Sequence, residues 1–236
     1  MVFCPKCGSS NYIKNGTIHN KKPKMKCKDC GRQFVKDRTK AEITEEKREL
    51  VDKLLLEKVP LAGICRVLGI SESWLQRYVN EKYTQTAKKL EGVDRKKGKL
   101  VVQMDELWSF VDNKGNKLWV WVALDVPTRQ IIGLHIGDRS REGAKALWDS
   151  LPPVYRQCAV CYTDFWEAYV GVIPSKRHRP VGKETGKTSY IERLNATLRQ
   201  RISRLVRQTL SFSKKLVNHI GAIWYFVHHY NHSLSK

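Results

Sequence analysis

The chain has 236 residues, with 44 Lys or Arg against 23 Asp or Glu and a formal net charge of +21. A 41% hydrophobic content with seven Trp supplies material for a real core and excludes a wholly disordered basic tail. No run of ~18 apolar residues occurs, so a soluble, cytoplasmic protein with no membrane partner is expected. The charge is unevenly placed: residues 1–100 carry 24 basic and 12 acidic side chains, 101–170 carry 7 and 9, and 171–236 carry 13 and 2. Cationic flanks around a mildly acidic middle suggest a polyanion held by the ends while carboxylates act between them.

Cys4 and Cys7 form one C-x-x-C pair and Cys27 and Cys30 another. Gly8 and Gly31 follow the pairs, allowing the backbone to turn amides toward thiolate sulfurs. This spacing predicts a zinc ribbon over residues 1–38, with the four thiolates holding one structural Zn2+. An odd total of seven Cys also fits a reducing compartment better than a disulfide framework. Lys14, Lys21, Lys22, Lys24, Lys26 and Lys28 lie between the pairs, as a solvated basic loop or as phosphate contacts.

Residues 42–82 read as a helix-turn-helix module. A first helix is expected from Thr44, as N-cap, to Lys58, with Ile43, Val51, Leu54 and Leu55 on one side. A short helix after Pro60, a turn at Gly69 and a second helix capped by Ser71 complete the pattern. Ala62, Val67, Ile70 and Leu75 are the expected packing positions and Cys65 a core residue. That leaves Ser73, Trp74, Gln76 and Arg77 to face a DNA groove. The lysine-rich stretch 83–99, with Gly92 and Gly98, reads as a linker.

From Leu100 the pattern changes to strands: Leu100–Val111, Leu118–Leu124 and Gln130–Ile136, an antiparallel meander. A helix over Arg141–Ser150, a short strand Cys158–Tyr162 and a helix from Thr188 to Arg207 follow. That order predicts a ribonuclease-H-like α/β catalytic domain with a mixed sheet over residues 100–236. Asp is disfavoured inside strands, so Asp105 needs a reason. Asp164 falls just past the end of a buried strand, where α/β sheets place their sites. In the last helix, Ile191, Leu194, Leu198, Ile202 and Leu205 form the apolar stripe, and Glu192, Asn195 and Arg199 run along its edge. Three converging carboxylates would repel one another unless cations neutralised them. Two Mg2+ or Mn2+ ions ~3.5–4 Å apart, held by such hard oxygen ligands, are the requirement of two-metal phosphoryl transfer. Glu184 is the alternative to Glu192, whereas Asp112, Asp125 and Asp138 read as turn residues and Glu106 and Glu167 as surface charges. No nucleophile elbow, Walker motif or dinucleotide fingerprint is found.

Gln103-Met-Asp-Glu-Leu-Trp108, Tyr162-Thr-Asp-Phe-Trp-Glu-Ala-Tyr169 and the run Ser189 to Arg207, followed by Ser211-Phe-Ser-Lys214, resemble the insertion-sequence-one family of DDE transposases. The resemblance implies cut-and-join chemistry at the ends of a mobile element, with Asp105, Asp164 and Glu192 as the acidic triad. It also implies that Arg199 contacts DNA near the scissile phosphate. Thr185 and Thr188 stand where some other DDE families carry Tyr and Arg. The cations Arg199, Arg201, Arg204, Arg207, Lys214 and Lys215, with Asn195, are expected to line a DNA-backbone surface. Two element ends must be held together, so a homodimer or higher oligomer on DNA is expected, in a nucleoid-associated prokaryotic setting. A DNA-binding regulator with an inactive catalytic domain and a hydrolytic nuclease of the same fold are the alternative readings. His219, His228, His229 and His232 read as packing or surface residues rather than a second metal site, and Cys158 and Cys161 as core packing.

Overall fold

The computed structural model describes residues 2–19, 21–35, 43–90, 98–205 and 212–234. Tertiary contacts divide the chain into two compact units, 1–45 and 46–236. The first unit is a three-stranded antiparallel sheet, β1 (Tyr12–Thr17), β2 (Pro23–Cys27) and β3 (Gln33–Val35), in that order. Its core is Cys4, Met25, Cys27 and Phe34, with Tyr12 packed edge-on against Phe34. Among the described residues these four buried side chains are too few to hold such a sheet without a staple.

The second unit opens with α1 (Glu45–Leu55), α2 (Leu61–Leu68) and α3 (Glu72–Gln85). Gly69 ends α2 in the left-handed region, and Ser71 stands at the N-cap position of α3, as the turn signals predicted. The first helix stops three residues short of Lys58. Ile70 and Leu75 are buried as expected, as is Cys65. Ala62 and Val67 are exposed, Val67 at 69%, because α2 turns Ile64 and Cys65 inward instead. α3 runs three residues into the stretch read as linker, of which 91–97 lie outside the described residues.

The five-stranded mixed sheet has the order β6-β5-β4-β7-β8. The strands β4 (Val101–Val111), β5 (Asn113–Asp125) and β6 (Ile131–Gly137) form the expected antiparallel meander. After α4 (Arg141–Ser150) and α5 (Pro153–Cys158), β7 (Val160–Thr163) joins the other edge of β4 in parallel. β8 (His178–Pro180), not foreseen in the sequence, adds parallel to β7. This α/β arrangement, with the meander first and parallel strands after it, is consistent with a ribonuclease-H-like domain.

Strand alternation sorts β4 onto two layers. Val102 and Met104 pack with Trp121, Ala123, Leu147 and Tyr155 on the α4 side. Gln103, Asp105 and Ser109 point the other way, toward α6 (Ser189–Arg201) and α7 (Leu216–Ser233). α7, also unforeseen, is clasped to β6 by Asn231, whose amide both accepts from the Ile131 N–H and donates to its carbonyl, each at 2.8 Å. Its other side packs on α3, where Gly221 permits close approach: a Cβ there would sit 2.4 Å from Cβ of Tyr83. α6 ends at Arg201 rather than Arg207; Ile202 turns extended, yet Ile202 and Leu205 are still buried. Among the described residues no helix is long and apolar enough to cross a membrane.

Candidate active site and metal centre

Asp105 lies in the middle of the central strand, paired opposite Val122. The parallel register aligns Val101 with Val160 and Gln103 with Tyr162, so two further steps set Asp164 beside Asp105. Asp105 Oδ1 accepts from the Glu106 N–H and Oδ2 from Asn195 Nδ2, both at 2.8 Å. Burial, then the Glu106 charge, then that of Asp164, push the Asp105 carboxyl up to about 7 against those two hydrogen bonds. The chain thus gathers anions at the middle of β4 and the end of β7 without an equal countercharge.

Asp164 follows β7 directly, and its Oδ1 accepts from the Trp166 N–H at 3.0 Å. The segment after it is anchored on Glu106. Although read as a surface charge, Glu106 is only 8% exposed, on the α4 side of the sheet. Arg139 pairs with it at 2.7 Å and Tyr169 Oη donates to it at 3.0 Å. The Arg139 guanidinium lies between the rings of Trp119 and Trp166, 4.5 and 4.0 Å from their centroids. Burial raises the Glu106 carboxyl, and Arg139 and Tyr169 oppose the shift. Period-two alternation was the available signal: with Asp105 facing one layer, Glu106 had to enter the other.

Glu192 sits in the first turn of α6, exposed, accepting from Thr188 Oγ1 at 2.8 Å. Two contacts fix that turn to β4 on either side of it. Gln103 Oε1 accepts from the Ile191 N–H at 2.8 Å while its Nε2 donates to the Lys187 carbonyl at 2.5 Å, and Asn195 reaches Asp105. Gln103 therefore caps α6 from the neighbouring strand, a role no helix-start signal in α6 could reveal, since Thr188 makes no side-chain cap bond. Glu184, the alternative carboxylate, is exposed on a single 3-10 turn at Lys183–Thr185.

Register and charge set Asp164 near Asp105, and Glu192 stands on α6, the helix bonded to Asp105 through Asn195; the three carboxylates do not form a cluster of ligand atoms within 4.8 Å of one another. Among the described residues, the tight gathering of ligand atoms belongs to Cys4, Cys7, Cys27 and Cys30, all within 4.8 Å of one another. Cys4 and Cys30 sulfurs are 3.6 Å apart, as are those of Cys7 and Cys27. Zn–S bonds of ~2.3 Å give a tetrahedron with edges of about 3.8 Å, so this set fits Zn2+. The two knuckles repeat each other: Gly8 and Gly31, each at φ 71°, donate to the carbonyls of Cys4 and Cys27. The acidic site fits divalent cations by its donor chemistry. Its carboxylates are hard oxygen ligands, and Asn195 Oδ1, buried beside Asp105, has no hydrogen-bond partner.

On α3, Ser73, Gln76 and Arg77 are exposed, whereas Trp74 is half-buried and stacked on Tyr78. Arg199 donates to the Trp108 carbonyl, Arg201 to the Leu56 carbonyl and Glu57, and Arg204 to the Phe212 carbonyl. Lys214 and Lys215 are exposed, and Arg207 lies outside the described residues. Of the histidines, His219 is buried against Ser109 and His228 binds the Ala87 carbonyl. Cys161 is buried in β7.

A family profile described as IS1 transposase matches residues 99–232, which span the whole sheet, α6 and nearly all of α7. The chain belongs to the IS1 transposase family. This transposase is 35% identical over 130 residues to the insertion element iso-IS1n protein InsB of Shigella dysenteriae, covering 54% of this chain and 94% of that one. It is 32% identical over 125 residues to the IS1 2 protein InsB of Escherichia coli (strain K12), covering 53% and 72%. It is equally similar to the IS1 protein InsB of Shigella sonnei, covering 53% and 92%. The transposase match begins at residue 99, so the cysteine-bearing sheet and α1 to α3 lie outside it.

Proposed function

We propose that this transposase binds the inverted-repeat ends of its element and catalyses divalent-metal-dependent cleavage and transfer of DNA strands, with Asp105, Asp164 and Glu192 as the metal-holding carboxylates. The observation that carries the reading is Asp105, in the middle of β4, beside Asp164 at the end of β7, with Asp105 raised to about 7 by burial and by neighbouring anions. A partly buried, like-charged carboxylate pair is costly unless it serves a cation. Mg2+ or Mn2+ held there would supply activation of the attacking hydroxyl and neutralisation of the charge on the phosphate.

The protein's own residues set the stage for that chemistry. Asn195 holds one Asp105 oxygen, the Glu106–Tyr169 bond anchors the segment after Asp164, and Gln103 holds the turn bearing Glu192. Residues 1–38, with Zn2+ on the four thiolates, and the helix-turn-helix of 42–82 serve end recognition, α3 offering Ser73, Gln76 and Arg77. Lys214 and Lys215, with Arg204 after α6, serve the DNA backbone, and two copies hold the paired ends. Incubating the protein with end DNA, Mg2+ and a target duplex tests this reading. Joined products are expected. Cut ends without joined products would mean a nuclease, and binding without any nicking, even in Mn2+, would mean a regulator.

A further inference from the structure

A cavity of about 490 Å3 lies between α2–α3 and the stretch around Arg204 and Ser213, within the second unit. One wall is the helix read as recognising DNA, through Gln76 and Asn80; the other carries Arg204, Ser213, Lys214 and Lys215. Asn80 Oδ1 accepts from Gln76 on its own helix and from Asn218 of α7, at 2.8 and 2.9 Å, which fixes the two walls to each other. The polar groups lining the cavity are incompletely satisfied. Ser213 is 1% exposed and its hydroxyl has no hydrogen-bond partner, nor has Nε of Arg204. Among the described residues no carboxylate pairs with Arg204, whose one bond is a 3.5 Å contact to the Phe212 carbonyl. Burial pushes the Arg204 guanidinium below its ordinary value. A half-buried cation with no anion, an orphaned hydroxyl and two lysines around one opening make a donor-rich, acceptor-poor site. The ligand that satisfies all of them is a tetrahedral oxyanion.

We propose that this cavity is a phosphate clamp, in which Arg204, Ser213 and the Lys214–Lys215 pair grip one phosphodiester of the DNA whose groove α3 reads. It rests on the DNA-binding part of the transposase reading and adds a consequence to it. A phosphate in the cavity is held by Arg204, three residues past the end of α6, and by Ser213 to Lys215, against a wall formed by α3. End binding and the placement of Glu192 are thereby mechanically joined.

The test uses the full chain and a short labelled duplex carrying an element end, with affinity measured by fluorescence anisotropy across a salt series. A phosphate contact contributes about 0.9 to the slope of log affinity against log salt. Arg204→Gln is expected to reduce that slope by about one and to weaken binding about eightfold near 0.1 M salt. Ser213→Ala, which removes no charge, is expected to weaken binding severalfold with the slope unchanged. Should Arg204→Gln fail to fold, Ser213→Ala and the Lys214→Ala/Lys215→Ala pair decide the matter. In parallel, thermal unfolding in inorganic phosphate, against chloride at matched ionic strength, separates the sources of the oxyanion. If phosphate stabilises the protein but the variants bind duplex normally, the site is for a small anion and the DNA assignment is overturned. If the variants bind normally and phosphate has no effect, the clamp is overturned while the transposase reading stands. If the unaltered protein binds no duplex, that reading fails and takes the clamp with it.

Discussion

Replacing Gln103 with Leu keeps the volume of the side chain and removes both of its hydrogen bonds. Ile191 is fully buried, so its N–H is left without water or acceptor at the start of α6, at a cost of about 1–3 kcal/mol. Lys187 is exposed and its carbonyl can rehydrate, which adds little. The whole loss should therefore fall on the first turn of α6, and exchange of the Ile191 amide should accelerate about 5- to 150-fold, the equivalent of that free energy. Hydrogen exchange followed by NMR, with urea unfolding beside it, reads both quantities. Strand cleavage should fall in the same variant and recover in part at higher Mn2+, because Glu192 is displaced rather than removed. Unchanged Ile191 exchange, with a stability change below ~0.5 kcal/mol, would refute the capping role.

Other outcomes follow from the same geometry. His219 is held neutral, burial first and then the Arg204 charge lowering it to about 4, from an ordinary 6.5. The unfolded chain then binds the extra proton between these values, so about 3 kcal/mol of stability should be lost as pH falls from 6.5 to 4. Urea midpoints against pH check this, and His219→Leu should flatten that limb. Gly221→Ala puts a methyl 2.4 Å from Tyr83 Cβ and 2.6 Å from its carbonyl oxygen, so α3 and α7 must separate. Thermal unfolding should report about 1–3 kcal/mol of destabilisation. Cys27→Ser, or a strong chelator, should abolish the order of Tyr12–Val35 in heteronuclear NMR spectra while signals from 46–236 persist. Structural Zn2+ contributes about 10–16 kcal/mol to modules of this kind, far more than four buried side chains.

The sheet's central elements were legible because their patterns are local. β4, β5 and β6 alternate or run apolar between turn signals, and Arg141–Ser150 begins at a Ser N-cap whose side chain accepts from the Gly143 N–H. What escaped detection depends on tertiary neighbours. α7 lies between the sheet and α3, so it is apolar on both sides and shows no amphipathic stripe, and its four His mask it further. β8 is a three-residue edge strand ending in Pro, too short for any period to register. At the site, Asp105 stood out by its residue type and Asp164 by its place at a strand end. Gln103 and Glu106 did not, because their importance lies in partners 88 and 63 residues away. The basic residues of the α6 region looked like free DNA contacts on charge alone, whereas Arg199 and Arg201 are engaged with carbonyls of the fold.

Three carboxylates, Asp105, Asp164 and Glu192, are proposed to perform metal-dependent strand transfer. Single-turnover joining of end DNA in Mg2+, by Asp105→Asn, Asp164→Asn and Glu192→Gln, tests it most directly, with duplex binding measured on the same samples. Joining should be abolished in all three while end binding stays largely intact. Joining retained in any one of them would remove that residue from the metal site.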